Sequence, residues 1–210
     1  LVLPVSEALW ISWNFEQACK EAGTFIHKKV KVEGFYDTTS AGSLDLVRSG
    51  AYRFVEGRND KGRIRLTLGN ASLIKEAFAQ FEKENPGKDP STQDIVRVKL
   101  EDNVEALVFP KKGDSWRITT LDRPTARYWF GIESGIKVAH KVGKEQSTIT
   151  DMQANEVIAR YIRIHRTAPW YFIGLVGSPI LSCDSPAGGP DSKHSFLIYR
   201  EVLLPIGPTS

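Results

Sequence analysis

The chain has 210 residues, of which 41% are hydrophobic and 25% charged, with 28 basic and 25 acidic side chains and a net charge of +3. That composition excludes disordered and collagen-like chains and is long enough to bury a proper core. The charge is too small to argue for nucleic-acid binding, and no stretch approaches the roughly 20 apolar residues that would span a bilayer.

Ser6 is positioned to cap a helix with its body at about 7–21, inside a helical segment 6–22 that Gly23 would stop. Leu9, Trp10, Trp13 and Gln17 lie at helical spacing. The two tryptophans either pack on a sheet, which is the default, or sit at a membrane interface. From Thr24 to Tyr36 the alternation of Ile26, Lys28, Val30, Val32 and Gly34 against His27, Lys29, Lys31 and Glu33 predicts one strand. A hairpin follows, Ala51–Glu56 and Arg63–Leu68 around the turn Gly57–Gly62, with Ile64, Leu66 and Leu68 facing inward. Ala71–Glu84 is a second helix, its face made by Ile74, Ala77, Phe78 and Phe81, ended by Asn85, Pro86 and Gly87. Strands are expected at Ile95–Leu100, Val104–Phe109 and Trp116–Thr120.

Arg127–Arg166 is the centre of the pattern. Ile136, Val138, His140 and Val142 share one parity and Lys137, Ala139 and Lys141 the other, which reads as a strand with one wet face. A hairpin connection is expected at Asp151–Glu156, where Asp151 accepts from backbone amides ahead of it and Asn155 takes a left-handed conformation. Beyond Arg166 the chain becomes apolar and broken by Gly and Pro over Pro169–Pro179, like a lid, then enters a loop at Ser182–Asp191 and returns as a terminal strand at Phe196–Leu204. The expectation is a single α+β domain over 1–210, with a mainly antiparallel sheet of about seven to nine strands in meanders and hairpins, covered by two helices.

Cys19 and Cys183 form no zinc ribbon and no Cys-x-x-Cys motif. They either make one disulfide, worth roughly 5 kcal/mol in the chain-entropy model, or are two unrelated buried thiols. The start at Leu1–Val5 without Met suggests a processed product whose upstream signal or anchor has been removed. An exported domain follows as the expectation, with membrane contact only through a segment upstream of residue 1.

No catalytic, cofactor or metal motif is recognisable. His27, His140, His165 and His194 are scattered without ligand spacing. The nucleophile elbow Gly-x-Ser-x-Gly is absent, and so are the glycine-rich nucleotide loops. Arg163 and His165 alternate with Tyr161 on one strand face that can hold an anion, although such a face is more often merely the wet side of a sheet. Cys183 with His194 is the only candidate thiol–imidazole pair. Basic rows at Arg63 and Arg65, Arg97 and Lys99, and Lys137 and Lys141 read first as solvated faces.

CKEAG over 19–23, IHKKV over 26–30 and VEGFY over 32–36 together resemble a group of uncharacterised bacterial envelope proteins, membrane-anchored or exported. Those carry a Cys-bearing helix followed by a strand. Ile149–Arg160 is similar to their strand–turn–strand hallmark, with Asn155 where they have Gly, and Trp170 followed by Cys183 is similar to a third. The resemblance implies location in the periplasm or cell envelope and carries no activity with it. The function expected is therefore non-enzymatic binding of a protein or envelope component, by a sheet face or by the apolar segment holding Trp170 and Tyr171. The alternative is a small-ligand or hydrolytic pocket using Cys183 and His194 or the Arg163 and His165 face.

Overall fold

Amphipathic alternation dominates the chain, and strands result. The computed structural model describes residues 2–39, 47, 51–60, 62–167, 180–183 and 198–206. The chain divides into two compact units, the first made of residues 1–30 and 130–204, the second of 31–129 and 205–210.

The first unit begins with helix α1 (Val2–Cys19) and strand β1 (Gly23–Ile26). Strand β9 (Tyr128–Ala139), of which the part from Phe130 onward belongs here, leads to β10 (Val142–Asp151) and β11 (Glu156–Thr167). β1 pairs antiparallel with β11 from Gly23↔Ile162 to Ile26↔Ala159, and β10 pairs antiparallel with β11 from Val142↔Arg166 to Asp151↔Glu156. Further along β11, on the edge that β1 also uses, strand β12 (Ile180–Cys183) pairs antiparallel from Ile164↔Cys183 to Thr167↔Ile180. The expected hairpin at Asp151–Glu156 is present in detail. Asp151 Oδ1 accepts from the amides of Gln153 at 3.1 Å and Ala154 at 3.2 Å, and Asn155 is left-handed at φ 52°.

The reading of Ile136–Val142 as one strand is corrected. Lys141 adopts φ 58°, so the chain reverses at His140–Lys141 and the alternation belongs to two neighbouring strands. The end of the unit is also corrected. Ile198–Val202 form a short helix, α3, and only Leu203–Pro205 are extended, as β13. Ile198, Tyr199 and Val202 of α3 are buried, with Tyr199 edge-on to Phe130 at 5.0 Å. An i, i+1, i+4 set suits a helix, where a strand would have put Ile198 and Tyr199 on opposite faces.

α1 packs on β11 and β10 through Ile11, Phe15, Ala18 and Cys19, with Ala22 just beyond its end, against Val142, Ile162 and Ile164. This is the opposite face from the row of Leu9, Trp10 and Trp13, which stay 66%, 49% and 58% exposed. The default of sheet packing for both tryptophans is thus overturned. Ile11, Phe15, Ala18 and Ala22 also follow the 3.6-residue period, and their smaller side chains let the helix approach the sheet.

In the second unit the expected single strand Thr24–Tyr36 turns out to be broken. Beyond β1 the chain pairs again only as β2 (Val30–Val32) and β3 (Gly34–Asp37). β4 (Phe54–Asn59), β5 (Gly62–Leu68), β6 (Val96–Glu101), β7 (Val104–Phe109) and β8 (Asp114–Leu121) complete a six-stranded order β3-β4-β5-β8-β7-β6. β3 pairs with β4 in parallel, so the sheet is mixed and only mostly antiparallel. The parallel pair brings Gly34 against the Phe54 carbonyl so closely that a Cβ there would overlap it and meet two Phe54 ring carbons at 2.7 and 2.8 Å. Glycine is required at this point. Gly57–Asn59 are strand rather than turn, and Leu68 is 49% exposed instead of inward, whereas Leu66 is buried.

Helix α2 (Ala71–Glu84) has the expected bounds and lies on β6, β7 and β8. Asn70 Oδ1 accepts from the Leu73 amide at 3.0 Å as its N-cap. Leu73 and Ala77 are buried against Val96, Val98, Ala106 and Val108, flanked by Ile74, Phe78 and Phe81. α1 lies on β10 and β11 and α2 on β6, β7 and β8, so the α+β class holds, whereas the expected cover of one antiparallel sheet by two helices does not. No helix among the described residues is long and apolar enough to cross a membrane.

Candidate functional site

Cys19 and Cys183 are joined, with an S–S distance of 1.99 Å, Cα atoms 5.9 Å apart and a sequence separation of 164. The geometry follows from register. Cys183 stands opposite Ile164, whose side chain faces α1, and Cys19 is in the last turn of α1 on the inner face. The bond leaves no thiolate at Cys183, so the thiol–imidazole pair with His194 has lost its nucleophile. His194, Trp170 and Tyr171 lie outside the described residues.

Arg163 and His165 share the face of β11 opposite to α1, as alternation requires, since Ile162, Ile164 and Arg166 face the helix. Arg166 donates to Ser12 Oγ and lies 5.1 Å from the Phe15 ring centre. Arg163 is occupied locally. It donates to Ser182 Oγ at 3.2 Å and stands 3.9 Å from Glu145 Oε2.

His165 belongs instead to a shallow groove of 260 Å³ at the end of the β9–β10 hairpin. Gly135, Lys137, Ala139, Lys141, Gly143 and Thr167 contribute to its lining. Gly143 faces His165 across the strand pair, and a Cβ on it would overlap the imidazole, meeting Cε1 at 2.7 Å. The ring lies over bare backbone in space that a larger residue would fill. Lys137 and His165 make no side-chain hydrogen bond or ion pair with the described residues.

The hairpin tip connects this groove to α1. Glu7 Oε1 is 3.1 Å from Lys141 Nζ and 3.0 Å from His140 Nε2. The His140 ring lies 6.1 Å from the Trp10 ring centre. Leu9, Trp10 and Trp13 form an exposed apolar and aromatic row on α1, and Val138, two residues before His140, is exposed as well. Sequence periodicity marked the tryptophans but assigned them to the core. It gave no signal for the groove, because the turn at Lys141 had been read as strand.

The second unit holds a polar cluster that sequence reasoning missed. Glu56 on β4 is fully buried. Its Oε1 accepts from Arg65 Nη2 at 2.7 Å, Arg65 Nε at 3.1 Å and the Thr125 hydroxyl at 2.7 Å. Its Oε2 accepts from the amides of Thr125 at 2.8 Å and Ala126 at 3.0 Å. Burial pushes the carboxyl pKa up, but hydrogen bonds from the Thr125 hydroxyl, the Ala126 amide, Arg65 and the Thr125 amide outweigh it and hold the group below its ordinary value. Arg65 also stacks on the Phe54 ring at 4.3 Å. Every acceptor position faces the protein, so the cluster ties the 122–127 loop to the sheet and presents nothing to a substrate. The basic row of Arg97 and Lys99 is paired too, Arg97 to Glu105 at 2.6 Å and Lys99 to Asp102 at 2.9 Å.

Among the described residues no group of three or more His, Cys, Asp or Glu side chains is gathered as a metal site would need. Comparison with family models, with curated proteins and with solved structures returns no match.

Proposed function

We propose that the chain is an exported, non-enzymatic binding domain of the cell envelope, and that α1 and the β9–β10 hairpin tip form its contact surface with the membrane–water interface. The observation that carries this reading is the outward row of Leu9, Trp10 and Trp13 on a helix whose other face is packed and whose last turn is disulfide-bonded. Tryptophan combines an apolar ring with an N–H that stays hydrated, which is the chemistry of the interfacial zone. Lys141 in the hairpin tip supplies a cation for anionic headgroups. The disulfide supports an oxidising compartment, since such bonds are kept reduced in the cytosol. The resemblance of Cys19–Tyr36 and Ile149–Arg160 to bacterial envelope proteins supports the same location.

The test is tryptophan emission in the presence of vesicles of zwitterionic lipid with and without phosphatidylglycerol. Binding shifts the emission to the blue and sediments the protein with the vesicles, and Trp10→Ser together with Trp13→Ser abolishes both. A wild-type protein whose emission and sedimentation are indifferent to vesicles overturns the membrane reading. Saturable binding to delipidated envelope protein that needs the same tryptophans would move the surface to a protein partner.

A further inference from the structure

We infer that the groove under the β9–β10 hairpin is a binding site for a phosphoryl group. This inference rests on the reading of the first unit as a binding domain and names the ligand chemistry of a site beside its contact surface. Lys137, Lys141 and His165 line one groove, and each side chain carries N–H donors. A phosphoryl group carries three terminal oxygens, one for each donor group, and charge-assisted hydrogen bonds of this kind are about twice as strong as neutral ones. Lys141 is shared with Glu7 and so contributes part of its charge. Lys137 has no such partner among the described residues and supplies the rest of the charge, while the His165 ring offers an N–H. No carboxylate lines the groove, and Glu145, the acid nearest in sequence on the same face of β10, lies beside Arg163 at 3.9 Å.

Shape agrees with charge. Gly135 and Gly143 bring no side chain to the lining and Ala139 only a methyl group, and Gly143 lets the imidazole of His165 lie down. At 260 Å³ the groove is smaller than the roughly 300–1,000 Å³ of most small-molecule pockets, which suits a single charged group with the rest of its molecule in solvent. Thr167 at the rim adds a hydroxyl. The same phosphoryl chemistry is offered by a phospholipid headgroup and by a free phosphate ester, and the experiment separates them.

The ring resonances of His165, assigned by their loss in His165→Asn, are followed while inorganic phosphate, and separately glycerol phosphate, is added to the full disulfide-bonded chain. Vesicle sedimentation with and without phosphatidylglycerol is run alongside. A saturable shift with either soluble anion, absent with chloride at the same ionic strength, supports a free phosphoryl ligand. A response only to phosphatidylglycerol vesicles supports the headgroup. In either case Lys137→Gln, and Gly143→Ala by displacing His165, weaken binding about tenfold each, the effect of losing roughly one charge-assisted contact. Lys137 is exposed, so its variant folds even where Gly143→Ala does not. The inference is overturned if neither soluble anion nor anionic vesicles produce a saturable shift, or if binding is unchanged in Lys137→Gln. Failure of the membrane reading is separable. There, Trp10→Ser with Trp13→Ser leaves vesicle behaviour unchanged while the soluble phosphate titration still succeeds.

Discussion

Replacing Glu56 by Gln keeps the shape of the buried cluster and removes its charge. One oxygen becomes an amide that donates. If that amide takes the Oε2 position, it faces the Thr125 and Ala126 N–H groups and leaves both without an acceptor. If it takes the Oε1 position, it faces the Arg65 guanidinium. Each buried donor left unsatisfied costs about 1–3 kcal/mol, and removing one partner of a buried ion pair costs about 3–5 kcal/mol, so a loss of about 2–5 kcal/mol is expected. Urea unfolding with the disulfide intact reads it as a lower midpoint at unchanged slope. The pH dependence gives an independent check. The folded carboxyl lies below its ordinary value of 4.5, so its stabilisation is fully present above that value and is lost as pH falls through the depressed folded pKa. The gap between wild type and Glu56→Gln should therefore be widest near neutral pH and close at lower pH, with the wild type supplying the slope. An equal midpoint at neutral pH, or a gap that widens on acidification, would refute the assignment of Glu56 as an ionised, fully bonded anchor.

Gly34→Ala places a methyl group on the Phe54 carbonyl and should destabilise by about 1–3 kcal/mol or prevent folding, read by the same unfolding assay. Asn155→Ala, at φ 52°, should cost about 1–2 kcal/mol, and Asn155→Gly should be near neutral, since only the left-handed conformation is at stake. Intact mass after alkylation should show no added label without reductant and two after reduction and unfolding. Cys19→Ser with Cys183→Ser should lower stability by up to about 5 kcal/mol for a sequence separation of 164.

How far the fold was legible depends on whether a local rule acted alone. Ala71–Glu84 carries a cap, a face and a stop in agreement, and its bounds were read without error. Asp151 and Asn155 did the same for the β10–β11 turn through one side-chain acceptor and one left-handed residue. Lys141 is the contrary case. Nothing in a lysine favours φ 58°, and the residue that bonds both His140 and Lys141 at the reversal, Glu7, is far off in sequence. Such a tertiary contact leaves no periodic trace. The parallel pairing of β3 with β4 was hidden for a related reason: alternation reports a strand's faces and says nothing about its neighbour's direction.

The candidate site was half legible, and the division is physical. Period-two alternation put Arg163 and His165 on one face, which the register confirms, but pairing decides what each can do. Arg163 reaches Ser182 and lies beside Glu145, whereas His165, one step along the same face, stands opposite a glycine and turns toward the hairpin groove. The helix shows the converse. Trp10 and Trp13 were assigned inward because large aromatic rings dominate buried area, yet the smaller row Ile11, Phe15, Ala18 and Ala22 won the core. The position of Cys19 on that smaller row decides between the two faces, since a residue bonded to Cys183 on β12 must face the sheet. Had the disulfide been taken as a constraint on helix rotation, with Cys19 inward, then Phe15 and Ile11 follow one and two turns back, and Leu9 and Trp13 are left pointing to solvent.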